Sequence, residues 1–125
     1  MVDLRREVVF RTEDGLRVPA VTADQMREVD RIAVEELGLS ILQMMENAGR
    51  SLAQTAINIL HGTKSEVTVL AGSGGNGGGG LCCARHLDNR GFRVRIVLHG
   101  TDANLTPAAR NQLKILRAAG LQPTD

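Results

Sequence analysis

The stretch Val67 to Leu81, VTVLAGSGGNGGGGL, constrains this chain more than any other part of it. A β-branched apolar run breaks into seven glycines within nine residues, Gly72 to Gly80, before an apolar segment resumes. The pattern predicts a strand, a tight loop and then a helix over Leu81 to Asn89. A loop this rich in glycine loses much conformational entropy when it orders, so something is expected to approach its backbone closely. Glycine permits positive φ and leaves N–H groups uncovered, and the helix that follows adds partial positive charge at its N-terminus. Together these suit a phosphate or another anion. Gly72, Gly74 and Gly77 also satisfy G-x-G-x-x-G directly after the predicted strand.

Composition narrows the classes of function. The chain has 125 residues, enough for one small domain with a modest core. Fifteen Lys+Arg against fourteen Asp+Glu give a formal charge of +1, which is no electrostatic footprint for nucleic acid or an acidic membrane. Tyr and Trp are absent, leaving only Phe10 and Phe92, so base-stacking platforms are missing as well. Cys82 and Cys83 are adjacent and cannot form an unstrained disulfide with each other, which fits a reducing compartment. Small packing residues at a helix start are their expected role, against a thiol activated by the helix terminus. The first residues, MVDLRREVVF, lack the apolar core of a signal peptide, and a cytoplasmic location is expected.

Several elements have local signatures. Residues 1–18 read as an N-terminal arm or hairpin, with Glu13-Asp14-Gly15 at its turn. Thr22-Ala-Asp-Gln25 has the form of a capping box that starts a helix, and Gly38 is placed to end it with a left-handed residue. Ser40-Ile-Leu-Gln43 repeats the form for a second helix, whose apolar stripe runs through Met45, Gly49, Leu52 and Ala56 to a stop at Gly62. Gly49 lies mid-helix, where close packing against another element would account for it. Glu66 to Ala71 reads as a parallel strand buried on both faces, paired with a second strand at Arg93 to Leu98. Thr106-Pro107 supplies a cap and a first helical proline for a last helix that stops at Gly120. Two parallel strands cannot cover their own edges, so the sheet reads as unfinished. A fragment, or a sheet completed by a partner, is expected, with a homodimer as the assembly.

Three stretches, VTADQMREVDRIAVEELGLS, ILQMMENAGRSLAQTA and VLAGSGGNGGGGLCCARHL with the following GFRVRIVL, resemble the YjeF N-terminal domain, the NAD(P)H-hydrate epimerase family. MENAGR, Met45 to Arg50, and the NGG of Asn76 to Gly78 are the most specific parts. The resemblance covers residues 19–125 and implies an α/β, Rossmann-like three-layer sandwich of which only the N-terminal half is present. It implies interconversion of the R and S epimers of hydrated NADH and NADPH, with that dinucleotide as substrate and a potassium ion as cofactor. By match, Gly75, Asn76, Gly77, Gly78 and Gly79 would line the substrate, and the Asn76 side-chain oxygen would meet the potassium ion.

The match departs from the family at two positions, because Gly75 stands where the family has asparagine and Gly79 where it has aspartate. Nothing in the chain is placed by motif as the acid–base group that epimerisation requires. A non-catalytic nucleotide-binding module or dimeric scaffold is therefore the alternative. Glu46 and Asn47 would either touch the substrate or set helix packing. His61, His86 and His99 share no ligand spacing, so a zinc-type cluster is not expected from them.

Overall fold

The computed structural model describes residues 8–61, 63 and 65–124. The first part of the N-terminal arm and the Gly62 stop lie outside the described residues. The chain divides into two compact units, 1–40 and 41–125.

In the first unit, β1 (Val8–Arg11) pairs antiparallel with β2 (Arg17–Ala20), Val8 opposite Ala20 and Arg11 opposite Arg17. Gly15 turns the connection with φ of 85°, in the left-handed region that glycine enters without strain. Helix α1 (Ala23–Glu35) starts at the capping box, where the Gln25 N–H donates to the Thr22 hydroxyl and the Thr22 N–H to the Gln25 side chain. Gly38 follows it at φ of 73°.

The second unit contains the parallel pair. Strands β3 (Glu66–Ala71) and β4 (Arg93–Leu98) run in register from Glu66–Arg93 to Ala71–Leu98, and the His99 N–H extends the ladder to the Ala71 carbonyl at 2.9 Å. Helix α2 (Ile41–Ile59) begins directly after Ser40, and α3 (Gly75–Asp88) joins the two strands. Helix α4 (Pro107–Ala118) is capped by the Thr106 hydroxyl, which accepts from the Ala109 N–H.

Helix α3 organises the packing of this unit. Leu81 and Ala84 meet Ala71, Ile96, Ala109, Leu113 and Leu116 in one cluster, while Cys83 and Leu87 meet Ala53 and Phe92 in another. Fully buried leucines and isoleucine of this kind contribute about 1.5–3 kcal/mol each through lost contact with water. Strand β3 is buried on one face only, which corrects the expectation of burial on both. Val67, Val69 and Ala71 turn inward, whereas Thr68 and Leu70 are exposed because strand side chains alternate and the helices of this unit cover a single face.

The glycine run is the second correction. It is helix from Gly75, not loop as far as Gly80, and only Gly72, Ser73 and Gly74 connect β3 to α3. Five of the first six residues of α3 are glycine, each costing about 1 kcal/mol against alanine in a helix interior. None of the glycines from 72 to 80 has positive φ. At Gly77 and Gly78 the value of glycine is therefore space. A Cβ on Gly77 would overlap the Gly72 carbonyl, one on Gly78 would lie 2.6 Å from Met45 Cε, and one on Gly80 would touch Val69.

Candidate functional site

The C-terminal ends of β3 and β4, the Gly72–Gly74 connection and the start of α3 lie together. A groove of about 290 Å³ opens there, lined by Leu70, Ala71, Gly72, Val97, Leu98 and His99. In open α/β sheets, ligands collect outside the carboxyl ends of the strands, where helix N-termini present free N–H groups and positive potential. Gly74 is the N-cap of α3 and has no side chain to satisfy those groups. The Thr106 N–H donates to the Ser73 carbonyl at 2.9 Å, which ties the connection to the start of α4.

The five residues singled out in the sequence separate into two sets. Gly75 and Asn76 are exposed and Gly79 is partly exposed, and a Cβ on either Gly75 or Gly79 would meet nothing within 4 Å. Being four apart, Gly75 and Gly79 share one helix face, so these three positions form an open strip beside the connection. Gly77 and Gly78 are buried, and they hold the backbone close to Gly72 and to Met45. They shape the site without facing it. Substitution at Gly77 would disturb the connection itself, so it cannot serve as a probe of ligand approach.

The donor set bears on the potassium ion. Asn76 is the single side-chain oxygen among residues 75–79, and the helix N-terminus beside it disfavours a cation. This strip does not by itself form a shell for potassium.

A second constellation joins α2 to α3 further along. Gly49 lets the two helices meet, since a Cβ there would lie 2.5 Å from both Cβ and Sγ of Cys82. One turn earlier, the Glu46 carboxylate accepts from the Cys82 thiol at 3.3 Å, contacts His86 Nε2 at 2.8 Å and pairs with the Arg85 guanidinium. Burial and the hydrogen bond to Glu46 push the Cys82 thiol up to about 12, which overturns the reading of a thiol activated by the helix terminus. Burial works against ionisation of Glu46, yet hydrogen bonds from Cys82 and His86 and the charge of Arg85 hold its carboxyl below the ordinary value.

Glu46 therefore meets three side chains of α3 across the α2–α3 crossing. Sequence reasoning missed the group because Glu46 stands 36 to 40 residues from its partners. The spacing of Cys82 and His86, four apart on one helix, was the available signal.

The model of the YjeF-related protein N-terminus matches residues 41–125. An NAD(P)H-hydrate epimerase of Dehalogenimonas lykanthroporepellens is 46% identical over 118 residues, covering 93% of this chain and 48% of that protein. A bifunctional NAD(P)H-hydrate repair enzyme Nnr of Salinibacter ruber is 40% identical over 105 residues, covering 83% of this chain and 19% of its own length. The crystal structure of yeast ynu0 superposes with a TM-score of 0.73 at 29% identity, covering 85% of this chain and 46% of the yeast chain. The fold is thus α/β and Rossmann-like, and the chain spans about half the length of the epimerase it matches.

Proposed function

The chain belongs to the family of YjeF-related protein N-termini, and on that premise we propose that it supplies the dinucleotide-binding part of an NAD(P)H-hydrate epimerase. Its substrate is the hydrated form of NADH or NADPH, whose R and S epimers are interconverted. The observation that carries this reading is the open strip of Gly75, Asn76 and Gly79 at the uncapped start of α3, beside the groove at the strand ends. A diphosphate fits there by charge, because helix N–H groups and partial positive potential face it without a competing side chain. The groove gives the adjoining ribose an apolar wall of Leu70, Val97 and Leu98, with His99 at its rim.

Were a potassium ion bound there with the diphosphate's negative charge beside it, Asn76 would be the residue of this strip to offer it a side-chain oxygen. Work in the cytoplasm as a homodimer belongs to the same proposal. The strip carries no titratable side chain, so proton transfer at the hydrated nicotinamide ring falls to a group outside it.

A second reading rests on a specific observation. The two positions where the family resemblance implies asparagine and aspartate carry glycine, so the strip lacks two polar groups while keeping room for both. A binding or scaffold module would need only the backbone cradle. Incubating the chain with a single epimer of NADPH hydrate and following the R-to-S ratio by chromatography separates the two. Acceleration over the protein-free rate, increased further in Gly75→Asn/Gly79→Asp, is the expected result. An unchanged rate in both proteins would overturn the epimerase reading in favour of the module.

A further inference from the structure

Glu46, Cys82 and His86 place one ligand atom each within 4.8 Å of one another. Cys82 and His86 project from the same face of α3, four residues apart, and Glu46 reaches them from α2. The three donors are a sulfur, an imidazole nitrogen and a carboxylate oxygen. Zinc and cobalt(II) take this set in tetrahedral sites, whereas magnesium and calcium favour oxygen alone. Cys82 is fully buried and Glu46 and His86 are part-buried, so three protein ligands would close the inner side and leave the outer position to water.

We propose that Glu46, Cys82 and His86 form a site for one borderline divalent transition-metal ion, of the zinc class, that clamps α2 against α3. It lies along the α2–α3 crossing, one turn of α3 beyond Gly79, uses none of Gly75, Asn76 and Gly79, and does not rest on the epimerase reading. Binding exchanges two hydrogen bonds for metal bonds. The thiol S–H breaks, its proton passes to the buffer, and the thiolate and the Glu46 carboxylate together balance the charge of the ion. Arg85 then acts from outside the ligand shell, since its Nη2 already lies 3.4 Å from Cys82 Sγ and pairs with Glu46, and a guanidinium stabilises a metal-bound thiolate by donating to it. Ligation through His86 Nε2 puts the ring proton on Nδ1. That displaces the exposed Arg90 guanidinium from its 3.3 Å contact with Nδ1, while Arg90 keeps the His86 carbonyl at 2.9 Å.

Cobalt(II) is the probe, added to the reduced 125-residue chain in weak buffer. The expected result is one ion per chain, tetrahedral visible bands, a thiolate-to-cobalt charge-transfer band and release of a proton. Cys82→Ser should abolish the charge-transfer band, and Cys83→Ser should retain it. His86→Gln and Glu46→Gln should each weaken binding by more than the ~10–100-fold that loss of an outer-shell partner costs. His86→Gln alters a part-exposed side chain, so it keeps the test open if Cys82→Ser does not fold, with far-UV circular dichroism reporting the fold of each variant. Absence of the band in the parent chain, its survival in Cys82→Ser, its loss in Cys83→Ser, or equal affinity in His86→Gln would overturn the site.

Discussion

Gly77→Ala is expected to lower the melting temperature by on the order of 10 °C, although alanine is the better helix former. The added methyl would overlap the Gly72 carbonyl, which is backbone and cannot rotate aside, so the β3–α3 connection must move. Overpacking against fixed neighbours costs about 1–3 kcal/mol and at times more, and this overlap belongs at the upper end. Gly79→Ala, two residues along the same helix, is the control. Its Cβ would meet nothing within 4 Å, and removing glycine's excess freedom should stabilise the chain by about 0.5–1 kcal/mol. Thermal denaturation of the two variants side by side reads the difference. Equal effects at both positions would refute the account of why the run is glycine.

The second large effect lies at the helix crossing. Gly49→Ala places its Cβ 2.5 Å from Cys82 Cβ and Sγ and 3.0 Å from the Cys83 nitrogen, so α2 and α3 must separate. The expected cost is about 1–3 kcal/mol. Cys82→Gly also destabilises on its own, by deleting a buried side chain and adding a helical glycine, but it removes both atoms that the alanine would meet at 2.5 Å. The double variant should therefore be more stable than the sum of the single effects by at least ~1 kcal/mol, within the range seen for residues in contact. Denaturant unfolding of all four members of the cycle gives this number. Strict additivity would mean that the two positions do not meet.

These two glycines also explain what the sequence disclosed and what it concealed. Elements governed by local chemistry were legible: the Thr22 and Gln25 capping box, the Thr106-Pro107 start of α4, and the strands at Val67 and Val94. Gly49 was legible as a close-packing position, though not its partner. The glycine run misled because its intrinsic preference opposes helix by roughly 1 kcal/mol per residue, whereas the close approach of α3 to Gly72 and to Met45 leaves no room for a Cβ at Gly77 or Gly78. Such contacts join residues far apart in sequence or across a turn, where local pattern carries no signal. The exposed Leu70 face of β3 was misread for a related reason, since a short apolar run does not reveal whether one face or two are covered. The resemblance drew five residues into one candidate site, but it could not distinguish Gly75, Asn76 and Gly79 on the open face from Gly77 and Gly78 beneath it. The cluster of Glu46, Cys82, Arg85 and His86 was concealed because its acid sits on another helix, 36 to 40 residues from its partners.

The central claim is that the uncapped start of α3 and the groove beside it hold the diphosphate and ribose of a dinucleotide. A thermal-shift titration of the chain with ADP-ribose, in potassium and separately in sodium, tests it most directly. Ligand at a hundred times its dissociation constant stabilises the folded state by about 2.7 kcal/mol, a readily measured rise in melting temperature. The account predicts that rise, larger in potassium than in sodium. No shift in either salt would contradict it.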